Sequence, residues 1–142
     1  LLEINVRFGD PESQAILPRI KSDVLELLYA SATGSLNVLK PLIWDPRYCM
    51  TVVMSSKGYP EEYQKGTLIE NLDLIKLTSD NFIFHAGTNK HNHKWLSNGG
   101  RVLAISSLGE SMNKVKKNVY SIVNRIKWKD GYYRKDIGWR YT

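Results

Sequence analysis

A chain of 142 residues that is 42% hydrophobic has the size of one ordinary domain and can bury a core of its own. No apolar run reaches the roughly 18 residues a membrane span needs, and a single cysteine, Cys49, excludes an internal disulfide. The net charge of +6 is concentrated in residues 110–142, where nine Lys/Arg stand against three Asp/Glu, so anionic partners have to be weighed.

In chain order, Leu2, Ile4, Val6 and Phe8 alternate with Glu3, Asn5 and Arg7, the period-2 pattern of a half-buried strand. Asp10 as N-cap and Pro11 at the first helical position predict a short helix to about Leu17, interrupted by Pro18. Ser22 is positioned to cap a second helix whose Val24, Leu25, Leu27, Leu28 and Ala32 face a core, with Gly34 ending it. Strands are expected over Leu39–Trp44, Tyr48–Ser55, Leu74–Leu77, Phe82–Thr88, Lys94–Ser97 and Arg101–Ser106. Asn98-Gly99-Gly100 is the strongest hairpin signal. Ser111 caps a last helix with an apolar stripe of Met112, Val115, Val119, Ile122, Val123 and Ile126 and a wet side bearing Lys114, Lys116 and Lys117. Trp128 is read as the start of a short final strand, and the expected fold class is α+β.

The chemistry of the opening strand comes from its polar face. Glu3 and Asn5 stand two apart, roughly 7 Å between Cα atoms, and so leave the same face. A carboxylate and an amide oxygen at that spacing suit part of the shell of a hard cation such as Mg²⁺, which draws its other ligands from water and phosphate. Arg7 continues the face and can fork onto a phosphate or carboxylate. Cys49, in an apolar run, reads as a small buried hydrophobe rather than a nucleophile. His85 reads as a hydrogen-bonded structural histidine, and His91 and His93 as a solvated turn. Arg101 is a second candidate anion contact, whereas Arg134 and Lys135 read as surface or interdomain charges.

The words themselves are more specific. Leu2 to Glu12, LEINVRFGDPE, resembles the closing strand of the ATP-grasp domain in the phosphoribosylamine–glycine ligases, the glycinamide ribonucleotide synthetases of purine biosynthesis. The resemblance runs on through Glu12-Ser13-Gln14, Leu17-Pro18-Arg19-Ile20-Lys21-Ser22-Asp23, Gly58-Tyr59-Pro60, His85-Ala86-Gly87-Thr88, Ser97-Asn98-Gly99-Gly100-Arg101 and Tyr133-Arg134-Lys135-Asp136-Ile137-Gly138. Where that family usually has glycine, this chain has Asn71, which also tolerates positive φ.

The resemblance implies an ATP-dependent ligase of which this chain is the C-terminal third. Residues 1–35 would end the ATP-grasp catalytic domain, and residues 36–142 would form a small β-rich, partial-barrel domain with one long helix. It further implies Glu3 and Asn5 as ligands of Mg²⁺ or Mn²⁺, Arg7 and Asp10 as catalytic residues, and Arg7, Gly9, Asp10, Glu12 and Arg101 as substrate-binding residues. ATP, glycine and 5-phosphoribosylamine would be the substrates, and the N-terminal part of the same enzyme the partner, with neither nucleic acid nor membrane involved. A cytoplasmic location is expected, since the first residues lack the pattern of a secretory signal. Two other functions are open to the residues: a nucleic-acid-binding surface on the basic helix, and a structural lid without catalytic groups.

Overall fold

The computed structural model describes residues 4–141. Seven strands and three α-helices are seen among them: α1 (Ser13–Ile16), α2 (Val24–Ala32), β1 (Tyr48–Ser56), β2 (Leu68–Ile69), β3 (Asn81–His85), β4 (Thr88–His91), β5 (Lys94–Ser97), β6 (Arg101–Gly109), α3 (Met112–Val123) and β7 (Gly131–Tyr132). The architecture is mixed α/β with two antiparallel sheets. One runs β3-β6-β1-β7 and the other β2-β5-β4.

The core sits between the first sheet and α3. On β1, Met50, Val52, Met54 and Ser56 are buried and their neighbours only half-buried, the alternation of a sheet with one face on the core. The central strand β6 is buried from Val102 to Gly109, because it has a partner on either edge. Against these strands α3 lays Val115, Val119, Ile122 and Val123, at the three- and four-residue spacing of one helix face. Ser111 caps the helix as expected, its hydroxyl accepting from Lys114 N at 3.3 Å. No helix among the described residues is long and apolar enough to cross a membrane.

Several sequence expectations need correction. Residues 4–8 form no strand, and Ile4, Val6 and Phe8 are exposed. A strand exists only where a neighbour takes its backbone groups, and no described strand lies beside this segment. Asp10 does not cap α1: the helix starts at Ser13, and Glu12 at the capping position makes no side-chain cap bond. Pro18 does not break the path either, since the chain passes into a 3₁₀ turn over Leu17–Arg19 that tolerates proline at its start. Asp23, not Ser22, caps α2, accepting from Leu25 N and Glu26 N, because the Ser22 hydroxyl is occupied in accepting from Ile43 N. Only Ala30 of α2 is buried, and Leu25 and Leu28 lie exposed.

Leu39–Trp44 is no strand: Leu36–Val38 is a 3₁₀ turn and Trp44 makes an isolated bridge to Ile20. Leu74–Leu77 likewise gives way to a 3₁₀ turn over Leu72–Leu74, entered through Asn71 at φ +64°. The run Phe82–Thr88 bends at Ala86-Gly87 and divides between β3 and β4, which belong to different sheets. Asn98-Gly99-Gly100 is a crossing from one sheet to the other, not a hairpin. The tight hairpin is β4–β5, with Asn92 and His93 both at positive φ in a two-residue loop. At Trp128 no strand begins: its indole is buried, Lys127 bridges Glu70, and β7 follows at Gly131.

Candidate active site

The resemblance words that lie far apart along the chain come together around one cavity of about 290 Å³. Pro11 is from the opening word, Tyr59 from Gly-Tyr-Pro, Arg101 from the glycine-rich crossing, and Tyr133, Arg134 and Ile137 from the last word. The floor is supplied by Thr51, Val52, Val53 and Ser55 of β1.

A register slip positions Arg101. Along β1 and β6 the pairing is regular from Tyr48↔Gly109 to Met54↔Leu103, and then Ser55 faces Arg101 rather than Val102. The extra residue is a bulge, which re-aims the side chain beside it. Tyr59 is seated by the neighbouring glycine: a Cβ on Gly100 would lie 2.0 Å from the ring's Cδ2, so only glycine lets the aromatic wall approach there.

Arg101 is tied to the chain's opening segment. Its Nη1 donates to the Asp10 carbonyl, and its Nε lies 3.5 Å from Asp10 Oδ2. Gln14 Nε2 donates to the other Asp10 oxygen at 3.0 Å, and Ser106 Oγ of β6 donates to the Gln14 carbonyl at 2.9 Å. Asp10 and Arg101, two predicted site residues, are therefore in contact. Arg134 is held by Asp136, its Nε donating to Oδ1 at 3.0 Å and its Nη2 to Oδ2 at 2.6 Å. The segment around it is fastened to α3, where the Tyr120 hydroxyl donates to the Arg134 carbonyl at 2.8 Å and accepts from Ile137 N at 3.1 Å.

Among the described residues, the other predicted site residues do not line this cavity. Gly9 N donates to Glu12 Oε2 at 2.9 Å, a local turn at the entry to α1. Arg7 Nη1 donates to its neighbour's carbonyl, Phe8 O, at 2.9 Å, and both Arg7 and Asn5 are exposed. Glu3 lies outside the described residues. Among those residues no group of three His, Cys, Asp or Glu is arranged to hold a metal ion. The oxygen donors of Glu3 and Asn5 nonetheless match a hard cation that takes most of its shell from phosphate and water.

Two words are structural in their visible contacts. Leu17 to Asp23 clips residues 42–47 in place: Asp45 N donates to Arg19 O at 2.7 Å, both Arg19 Nε and Nη2 donate back to Asp45 O, and Lys21 N donates to Ile43 O. His85 Nδ1 shares a hydrogen bond with Thr88 Oγ1 at 2.9 Å, and its ring lies 4.4 Å from that of Trp95. Loss of water on that side pushes the imidazole pKa down, the Asp73 carboxylate opposing this and Lys90 adding to it. Cys49 is only half-buried, on the face of β1 turned away from the core, rather than the buried hydrophobe expected; loss of water still pushes its thiol up to about 11.

Arg134 is the exposed charge the sequence suggested, paired with Asp136, and it also lines this cavity; Tyr59 and Tyr132 were not singled out as site residues. The available signal was membership of a resemblance word for the first two, but their adjacency arises only from the fold. The cluster of Asp45, Arg47 and Asp80 was missed altogether.

The phosphoribosylglycinamide synthetase C-domain model matches residues 49–140. The chain belongs to that family. Phosphoribosylamine–glycine ligase of Rhizobium meliloti is 44% identical over 140 residues, which is 99% of this chain and 32% of that protein. The ligase of Fusobacterium nucleatum is 44% identical over 143 residues, covering 100% of this chain and 33% of that protein. The crystal structure of phosphoribosylamine–glycine ligase from Thermotoga maritima superposes with a TM-score of 0.78 at 28% identity, over 96% of this C-domain chain and 32% of that one. The chain thus spans about a third of the length of the curated relatives it matches.

Proposed function

We propose that this chain is the C-terminal portion of a phosphoribosylamine–glycine ligase and forms one wall of its active site. The observation that carries the reading is the convergence of residues from four separate resemblance words on one cavity. In this reading residues 1–35 complete an ATP-grasp domain and residues 36–142 form the partial-barrel domain that closes one side of the cleft. The bonds from Gln14 to Ser106 and from Asp10 to Arg101 cross that boundary, so the two parts would hold a fixed relation.

The reaction is the joining of glycine to 5-phosphoribosylamine. A glycine carboxylate oxygen attacks the terminal phosphorus of ATP, and the bond to the bridging oxygen breaks to release ADP. The ribosylamine nitrogen then attacks the acyl carbon of glycyl phosphate. Phosphate leaves with the acyl oxygen, the nitrogen loses a proton, and glycinamide ribonucleotide remains. Charge neutralisation and positioning carry most of such a phosphoryl transfer. Glu3 and Asn5 would hold Mg²⁺ or Mn²⁺, which when bound would neutralise phosphate oxygens. Arg7 would hold the ribosyl phosphate or steady the acyl phosphate. Asp10, oriented by Arg101 and Gln14, would hold the amine in line for attack, and Gly9 and Glu12 would shape the glycine end. The cytoplasm is the expected site of such a biosynthetic reaction.

The test is glycine- and phosphoribosylamine-dependent ADP release by the full-length polypeptide, with Arg7→Ala beside it. Turnover is expected in the parent and a loss on the order of 100-fold in the variant, equivalent to about 2.7 kcal/mol of transition-state stabilisation. A folded parent without turnover would remove the ligase reading. An indifferent Arg7→Ala would remove Arg7 from the site.

A further inference from the structure

Ser106 puts a hydroxyl where the strand pattern calls for an apolar side chain. It is buried on the central strand β6, and Ala104 and Leu108, two residues to either side and so on the same face, are buried with it. Its cross-strand partner is Thr51, on the face of β1 turned away from the core and toward the opening segment. The bond that Ser106 makes leaves the sheet, its Oγ donating to the Gln14 carbonyl at 2.9 Å. That donation uses the one proton of the hydroxyl, so the 2.7 Å bond between Ser106 and Thr51 runs from the Thr51 hydroxyl to Ser106 Oγ. The neighbouring Ser107 is equally buried but bonds within the strand, to the Leu108 carbonyl at 3.4 Å.

The Gln14 carbonyl needs a donor from elsewhere because the sequence withholds the usual one. In a helix it would accept from the N–H four residues on, but that residue is Pro18, and the Leu17 N–H goes to Ser13 O. The side chain of Gln14 is held as firmly as its carbonyl. Ser13 Oγ donates to Gln14 Oε1 at 2.7 Å, which turns the amide nitrogen toward Asp10, where Nε2 donates to Oδ1 at 3.0 Å. Arg101 closes the other side, its Nε 3.5 Å from Asp10 Oδ2 and its Nη1 donating to the Asp10 carbonyl. A carboxylate with a donor at each oxygen has its plane fixed, while the remaining lone pairs stay open to a ligand. Thr51, Ser106, Gln14 and Asp10 thus form one directed chain of hydrogen bonds, from the middle of the first sheet to an exposed carboxylate.

We propose that Ser106, backed by Thr51, is a positioning residue for Asp10: through Gln14 it holds the carboxylate in a fixed place relative to the sheet, so that the β-rich part sets the geometry in which the amine is presented. The assignment rests on the ligase reading and on the role given there to Asp10. It adds to that reading a function for two hydroxyls that touch no substrate.

The experiment is steady-state kinetics on the full-length enzyme with Ser106→Ala, Gln14→Leu and the double variant, together with the thermal midpoint of each protein. Ser106→Ala is expected to lower kcat/KM for phosphoribosylamine on the order of tenfold and to leave KM for ATP and for glycine unchanged. Gln14→Leu is expected to do the same, and the double variant to lose no more than Gln14→Leu alone, because both changes interrupt one chain of bonds. Thr51→Val keeps the shape of its side chain and removes the donor to Ser106. The same parameter is expected to fall about threefold in it, and it takes the place of Ser106→Ala in the cycle if that protein does not fold. Losses that multiply in the double variant, a rise in KM shared by all three substrates, or unchanged kinetics at any thermal midpoint would each overturn the proposal while leaving the ligase reading intact. Absence of turnover in the wild type would instead overturn the ligase reading itself.

Discussion

At Asp45 one buried carboxylate gathers three parts of the chain. It accepts from Arg47 N and Nε at 3.0 Å and from Arg47 Nη2 at 2.8 Å, and it lies 3.4 Å from Lys21 Nζ. Arg47 reaches on to Asp80 at 2.9 Å. The hydrogen bonds from Arg47 hold the Asp45 carboxyl well below the usual carboxylate range. A carboxyl whose pKa is depressed on folding adds stability that is full above its unfolded value, about 3.9, and is lost as pH falls toward the folded value. Asp45→Asn is therefore expected to lower the denaturant midpoint at pH 7, with the gap to the wild type narrowing as pH falls below about 4. Denaturant titrations across pH 3 to 7 check this, and a gap independent of pH would refute it. At this scale some features were legible and others not. Asn71 at φ +64° agrees with an asparagine standing where the resembled family has glycine, whereas the choice of Asp23 over Ser22 as cap depended on Ile43, twenty-one residues from Ser22.

At the scale of elements, β5, β1, β6 and α3 were read from the sequence within a few residues because each has its own signal, whether alternation, a run of β-branched residues or a cap followed by a stripe. Leu39–Trp44 and Leu74–Leu77 carried the same apolar residues and formed no strand, since apolar runs of that length satisfy several conformations until a partner selects one. Beside the Glu70–Lys127 bridge, a buried polar relay joins the second sheet to the α3–β7 connection. The Trp128 indole N–H donates to Thr67 Oγ1 at 2.8 Å, and Thr67 Oγ1 shares a hydrogen bond with Ser97 Oγ at 2.8 Å. Thr67→Val keeps the shape but leaves the indole N–H without its partner, at an expected cost of about 1–3 kcal/mol. Equilibrium unfolding of both proteins measures it, and a change below about 0.5 kcal/mol would show that the relay contributes little.

For the whole molecule, the exposed apolar residues are unevenly distributed. Ile4, Val6 and Phe8, Leu25, Leu28 and Tyr29 of α2, and Leu36, Val38 and Ile43 after it are all exposed, a higher density than in the β-rich part, which encloses a core but still exposes Leu74, Leu77, Tyr132 and Trp139. If the first 35 residues belong to a larger catalytic domain, the exposed apolar residues among them would be covered by the rest of that domain. The 142-residue chain on its own is then expected to bind a hydrophobic dye while keeping native near-ultraviolet dichroism, and to release no ADP in a glycine-dependent manner. Glycine-dependent ADP release by this chain alone would refute the division of the site between two parts. By itself, the sequence determined the family, through ordered words covering nearly the whole chain, and the elements whose signals lie within a dozen residues of one another. Only the tertiary structure decided that β3 and β4 part into different sheets, that the glycine-rich crossing is no hairpin, and that Arg134 lines the same cavity as Arg101. The physical reason is range: caps, turns and periodicity act between near neighbours, while strand pairing, the bulge that aims Arg101 and the closing of a cavity depend on contacts between residues tens of positions apart.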